Sequence, residues 1–188
     1  MSRGSVTELL TQLRGVPRRV FHRLYRQRAL KALRSGPRVT SLLVVCRGNI
    51  CRSPFAAALL RRALSRKGVR VDSGGFTPPG RQPPPEAVAA AARHGVDLSV
   101  HRSQRVTAES VRAADLIVVM DLTQRHEICV RFGRTERDVL VLGDIDPQPI
   151  ETRRIRDPVR QPLAVFEQTY ARIERCVREL TRAVTATV

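Results

Sequence analysis

The sequence predicts an α/β fold: a single doubly wound domain with a four-stranded parallel sheet. Three observations carry this. Short apolar, largely β-branched runs alternate along the chain with helical patterns, as parallel crossover units require. The first of these runs stops at Cys46, where a glycine-containing turn leads into a helix start. The chain then closes on one long apolar stripe at helical spacing. A length of 188 residues suits one domain, expected over residues 38–188 with a basic arm, 1–37, ahead of it.

A break at Ser35-Gly36-Pro37 separates arm from domain. In the arm, Val20, Phe21, Leu24 and Leu33 recur at helical spacings among arginines and predict a basic amphipathic helix. Arg38–Val45 reads as a buried strand, with Val39, Leu42, Leu43, Val44 and Val45 apolar. Pro54 suits a first helical turn and opens a helix over Ser53–Lys67. Val69–Asp72 is a second strand, the Pro- and Gly-rich Ser73–Pro85 a loop, and Glu86–His94 a helix stopped by Gly95. Ala108–Arg112 follows as a short helix, Asp115–Met120 as a third strand, Thr123–Phe132 as a helix and Val139–Leu142 as a fourth strand. After the long loop Gly143–Pro162, the last helix carries Leu163, Phe166, Tyr170, Ile173, Val177, Leu180 and Val184 at intervals of three and four. In open α/β sheets ligands bind at the carboxyl ends of strands, which is where Cys46 falls.

Composition narrows the function classes. Apolar residues make up 42% of the chain and aromatics 4%, so Val, Leu and Ala must fill the core. No apolar run approaches the roughly 20 residues of a membrane span, and no secretory signal develops behind Arg18-Arg19. Four irregularly spaced cysteines argue for reduced thiols in a cytoplasm. The net charge of +17 is uneven: ten Arg/Lys face one Glu in residues 1–38. Across the whole chain, all basic residues but Lys31 and Lys67 are arginines, which favours phosphate-bearing partners because guanidinium grips phosphate oxygens in a bidentate way. Three roles stand open for the arm: contact with an anionic membrane, docking on its own domain, or a solvated charge run. A nucleic-acid- or lipid-binding module as the main function leaves the turn at Cys46 unexplained.

That turn carries the chemistry. Cys46-Arg47-Gly48-Asn49-Ile50-Cys51-Arg52-Ser53-Pro54 holds a cysteine, five residues, then Arg and Ser. A thiolate can attack phosphorus, and neighbouring positive charge and a helix N-terminus favour that form. Backbone N–H groups from Arg47 to Ser53 can cradle phosphate oxygens, the geometry that Gly48 and Asn49 permit. Arg52 offers a bidentate clamp for the transferring phosphoryl, and Ser53 a hydrogen bond to the sulfur. Neither cofactor nor metal is implied. Cys46 and Cys51 lack a second pair at ligand spacing, and His22, His94, His101 and His126 form no close pair.

The stretch V-C-R-G-N-I-C-R-S-P resembles the signature of low-molecular-weight protein tyrosine phosphatases of bacterial type, and the likeness continues through residues 39–180. V-D-S-G-G at 71–75, G-V-D-L-S-V-H-R-S at 95–103, V-M-D at 119–121, L-G-D-I-D-P-Q at 142–148 and I-R-D-P at 155–158 are similar to further family segments, in order. The resemblance implies a metal-free hydrolase that forms a phosphocysteine on Cys46. It also implies that Asn49, Ser73 and His101 brace the phosphate loop. Cys51 matches a second loop cysteine that either forms a reversible disulfide with the nucleophile or packs beneath the loop. The implied partner is a phosphotyrosine-containing protein, such as a bacterial tyrosine kinase of polysaccharide export.

Two Asp-Pro pairs compete for general acid, Asp146-Pro147 and Asp157-Pro158. Asp146 lies just past the fourth strand and suits a turn. Asp157 lies deeper in the long loop and matches the family's acid, so it is the expected catalytic group. Three features depart from the family. Val159 and Arg160 stand where it usually has aromatics. The loop Gly74–Pro85 is short, leaving Phe76 to wall the substrate slot. The arm is an addition. Protein arginine phosphatases of the same fold typically carry Thr where Ile50 stands, and thioredoxin-coupled arsenate reductases need cysteines that residues 110–135 do not supply. Tyrosine is the expected target.

Overall fold

The computed structural model describes residues 21–186. Helix α1 covers residues 21–35, and the remaining elements follow as β1 (Ser41–Cys46), α2 (Arg52–Leu64), β2 (Arg70–Gly75), α3 (Pro85–Ala92), α4 (Ala108–Arg112), β3 (Leu116–Val119), α5 (Leu122–Phe132), β4 (Val139–Val141) and α6 (Leu163–Thr185). The four strands form one sheet in the order β2-β1-β3-β4, and every pairing is parallel.

Strand periodicity divides the core in two. Leu42, Val44 and Cys46, Leu116, Val118 and Met120, and Leu140 and Leu142 face one side, under α2, α3 and α6. The alternate residues Leu43, Val45, Ile117, Val119, Val139 and Val141 face the other, with Val111 of α4 and Ile128 of α5. Both faces are covered, so the strands read as continuous apolar runs. The α6 stripe buries Phe166, Tyr170, Ile173, Val177, Leu180 and Val184, and the Tyr170 ring stacks on Phe55 of α2 at 3.9 Å.

Two expected boundaries move, each for a local reason. Arg38–Thr40 stay outside β1 because Asp115 accepts from the Thr40 and Ser41 amides at 2.8 and 3.0 Å. At the other edge, Ser73, Gly74 and Gly75 continue β2 rather than opening the loop, pairing with Val44, Val45 and Cys46. Glycine marks close backbone approach here, not a turn. A Cβ on Gly75 would lie 2.8 Å from Asn49 N and 2.9 Å from Gly48 C.

The arm's apolar face also differs from expectation. Leu33 is buried, but Phe21 and Leu24 are 55% and 44% exposed, and Val20 lies outside the described residues. The buried side is His22, Leu30 and Leu33. Leu30 and Leu33 join the core beside α6, and Arg26 pairs with Glu179 of α6. The Phe21–Leu24 pair sits on the far side of the helix because the domain takes the i, i+3 pair nearer the C-terminus. Among the described residues, no helix is long and apolar enough to cross a membrane.

Candidate active site

β1 delivers Cys46 to the carboxyl end of the sheet, and the chain turns through residues 47–51 before α2 starts at Arg52. The turn closes on the sulfur: the Asn49 amide donates to Cys46 Sγ at 3.2 Å and the Ser53 hydroxyl at 3.0 Å. Asn49 adopts a left-handed backbone, φ 49°, a conformation asparagine tolerates better than most residues. Its side chain fixes it. Nδ2 donates to Ser53 Oγ at 2.9 Å and Ser73 Oγ at 3.0 Å, while Oδ1 accepts from the Gln104 amide at 2.7 Å. Because Ser53 Oγ already accepts from Asn49, its own proton is free for the sulfur. His101 Nε2 lies 2.8 Å from the Asn49 carbonyl, so that nitrogen carries the proton and donates.

Burial lowers the pKa of His101. The Asn49 bond pulls the other way, and Arg61 and Arg102 add to the depression. Cys51 is buried, and its carbonyl accepts from the Tyr170 hydroxyl at 3.2 Å. Burial, with Cys46 and Asp157 adding to it, pushes the Cys51 thiol far up, so it stays protonated. Phe76 and Thr77 amides reach the Arg47 carbonyl at 2.9 and 3.3 Å and tie the turn to the end of β2.

Arg52 is buried under a cleft of about 130 Å³ lined by Cys46, Arg47, Gly48, Ile50, Cys51, Asp157, Thr77, Arg81 and Val159. Arg52 pairs with Asp157 and donates from Nη1 to the Ile155 carbonyl at 3.2 Å. Larger hollows of about 540 and 520 Å³ lie beside α1. Neither reaches Cys46, and the chemistry selects the small cleft.

The structure brings Cys46, Arg52 and Asp157 together, with Asn49, Ser53, Ser73 and His101 behind the turn. Asp146 is elsewhere. It is fully buried, accepting from Arg172 Nε at 2.9 Å and Arg175 Nε and Nη2 at 2.7 and 3.0 Å, so it binds α6 to the loop. One expected wall is corrected: Phe76 points to the opposite sheet face, against the second core cluster, with the Arg131 guanidinium 5.8 Å from its ring centre. Thr77 and Arg81 take that side of the cleft. Arg81 is held by its amide, which donates to Ser103 Oγ at 3.0 Å, and by Nη1 donating to Thr77 Oγ1 at 3.3 Å. Sequence reasoning missed Arg81, Thr77 and Gln104, since none sits in a pattern with local meaning. No group of three metal-binding side chains occurs among the described residues.

A thiol cradled at a strand end, an arginine beneath the cleft and a carboxyl across from it define a cysteine-dependent phosphomonoester hydrolase. The family model for low molecular weight phosphotyrosine protein phosphatases matches residues 41–188, and the chain belongs to that family. The probable low molecular weight protein-tyrosine-phosphatase EpsP of Ralstonia solanacearum is 43% identical over 140 residues, 74% of this chain and 92% of that protein. The crystal structure of the Erwinia amylovora tyrosine phosphatase AmsI superposes with a TM-score of 0.71 at 31% identity, covering 79% of this chain and 95% of that one. A mutant of the arginine phosphatase YwlE with a phosphorylated active site serine is similar too, at a TM-score of 0.68 and 29% identity over 77% of this chain and 95% of that one.

Proposed function

We propose that this protein hydrolyses phosphotyrosine on proteins through a phosphocysteine at Cys46. The observation that carries the reading is the convergence of Ser53, Asn49, Arg52 and Asp157 on that sulfur and the cleft above it. Cys46 Sγ attacks phosphorus and the tyrosine oxygen leaves, taking a proton from the Asp157 carboxyl. Asp157, now a carboxylate, removes a proton from water as the water attacks phosphocysteine, releasing inorganic phosphate and the thiolate. Arg52 holds the equatorial oxygens with N–H groups that otherwise pair with Asp157, so phosphate entry frees that carboxyl to turn to the leaving oxygen. Backbone amides of Arg47 to Ser53 line the phosphate seat, and Ser53 steadies the sulfur as leaving group. Asn49, Ser73 and His101 hold the turn in shape.

Phosphoarginine is the rival substrate, because a YwlE structure lies among the neighbours. Two features favour tyrosine. Ile50 and Val159 give the cleft apolar surface for a flat phenyl ring. Arg47 and Arg81 place positive charge beside it, which opposes a guanidinium and not a phenol. The partner we propose is a bacterial phosphoprotein, with a tyrosine kinase of polysaccharide export the choice suggested by family resemblance. A cytoplasmic setting is supported by four unpaired thiols, Cys46, Cys51, Cys129 and Cys176. Contact with an anionic membrane is supported by the exposed Phe21 and Leu24 among arginines. Rates on phosphotyrosine, phosphoarginine and phosphoserine peptides, measured side by side, test the reading. Faster hydrolysis of phosphoarginine overturns the substrate, and no dependence on Cys46 overturns the mechanism.

A further inference from the structure

Helix α1 touches the loop that carries Asp157. Arg153, four residues before that aspartate, sends Nε and Nη2 to the buried Asp144 at 2.5 and 2.6 Å. Its guanidinium carbon lies over the Tyr25 ring of α1, 4.4 Å from the ring centre, a distance at which cation and π face attract. From Arg153 to Asp157 the chain is held at several points. Arg172 of α6 donates to the Thr152 and Arg154 carbonyls at 2.8 and 2.9 Å. The Ile155 amide donates to the Met120 carbonyl at 2.9 Å, and its side chain is buried. Arg52 then takes the Ile155 carbonyl and the Asp157 carboxylate. Only Arg156 lies between the held Ile155 and the aspartate that carries the carboxyl over the cleft.

Tyr25 is itself held. Leu30 and Leu33 embed α1 in the core, and Arg26 pairs with Glu179. His22, one turn before Arg26, is buried and feels the charges of Asp146 and Asp144. The helix therefore bears on the loop in two places: His22 lies within the charge of Asp144 and Asp146 at its start, and Tyr25 meets Arg153 at its middle.

We infer that Tyr25 is a positioning residue for the general acid: by stacking on Arg153 it fixes the segment that aims Asp157 at the leaving oxygen. The inference rests on Asp157 being the acid. Catalysis by a positioned acid is sensitive to displacements of about 1 Å, which cost up to about a hundredfold. Tyr25 does not line the cleft, so any effect of its loss on the chemistry passes through the loop that carries Asp157.

The test uses the full chain with Tyr25→Ala, Tyr25→Phe, Asp157→Asn and the Tyr25→Ala/Asp157→Asn double variant, each confirmed folded by thermal melting. Phenyl phosphate, a poor leaving group, is compared with an activated nitrophenyl ester. Tyr25→Ala is expected to lower kcat on phenyl phosphate by about tenfold to a hundredfold, with a much smaller loss on the ester and an unchanged inhibition constant for inorganic phosphate. Tyr25→Phe, which keeps the ring, should behave as wild type. In the Asp157→Asn background, Tyr25→Ala should cost nothing further. Equal losses on both substrates, or a full additional loss in the double variant, would overturn the inference. Where Tyr25→Ala does not fold, Tyr25→Leu, which keeps bulk on α1 but removes the ring face, stands in for it under the same criteria. If Asp157→Asn shows no leaving-group dependence, the acid assignment fails first and the inference falls with it.

Discussion

Arg52 and Asp157 form an ion pair across the mouth of the cleft, joining the arginine beneath it to the carboxyl above it. The guanidinium end of this pair is buried, while the carboxyl stays partly open to solvent. Asymmetric burial leaves Asp157 as the mobile partner. Asp157→Asn is expected to slow turnover of phosphotyrosine by roughly 10²–10⁴-fold, the usual worth of general acid–base catalysis. An activated nitrophenyl ester should lose far less.

Asp146→Asn should behave differently, because that carboxylate is buried between two arginines of α6. Removing the charge leaves both guanidiniums uncompensated, at a cost of about 3–5 kcal/mol of stability. A fall in melting temperature without leaving-group dependence is the expected signature. Leaving-group dependence at Asp146 and none at Asp157 would reverse the assignment.

Cys46→Ser should abolish turnover and Cys51→Ser should retain most of it. Only Cys46 receives the Ser53 hydroxyl and the Asn49 amide. Alkylation followed by peptide mapping should label Cys46, with vanadate protecting it. Equal inactivation by the two substitutions, both variants folded, would contradict the site.

His101 gives a pH prediction. Its pKa is depressed in the fold below the ordinary value of 6.5, chiefly by burial. A depressed value means that the fold favours the neutral ring. That contribution is fully present above pH 6.5 and lost as pH falls through the folded value. Melting temperatures of wild type and His101→Gln, compared between pH 8 and pH 5, should therefore converge on the acid side. His22 is depressed as well, but it is common to both proteins and cancels in the difference. A gap that widens on acidification would show that the charged ring is the supporting form.

Gly75→Ala should damage the site without touching a catalytic residue. Its Cβ would meet Asn49 N at 2.8 Å and the Arg47 carbonyl at 3.0 Å, and backbone cannot step aside cheaply. An overpacking penalty of about 1–3 kcal/mol is expected, with weaker phosphate inhibition as the functional measure.

Much of this was legible in the sequence where meaning is local. The β1 run, the turn from Cys46 to Arg52 and the α6 stripe each declare themselves within a few residues, because periodicity and turn chemistry act over that range. The choice of Asp157 over Asp146 as the group facing the cleft followed from chain position and resemblance. What stayed hidden depends on distant partners. Ser73-Gly74-Gly75 looks like a loop until its neighbours Val44–Cys46 and Asn49 are in place. Phe21, Leu24 and Leu33 read as one apolar face and Tyr25 as nothing in particular, yet Leu33 alone of the three is buried and Tyr25 meets Arg153, 128 residues away. Arg81 was invisible because its meaning comes from Gly48, whose added Cβ would sit 3.4 Å from its guanidinium.

The rim formed by Arg47 and Arg81 bears on how fast substrate arrives. Neither side chain is paired with a carboxylate among the described residues. Their field therefore reaches outward from the cleft and draws dianionic phosphoesters along the last stretch of their diffusion. At physiological ionic strength that attraction extends about 8 Å, enough to span the mouth of so small a cleft. Encounter with a phosphorylated side chain should then slow as salt rises, while the rate of phosphoryl transfer once bound stays constant. The same field holds the product, so inorganic phosphate should leave faster in high salt.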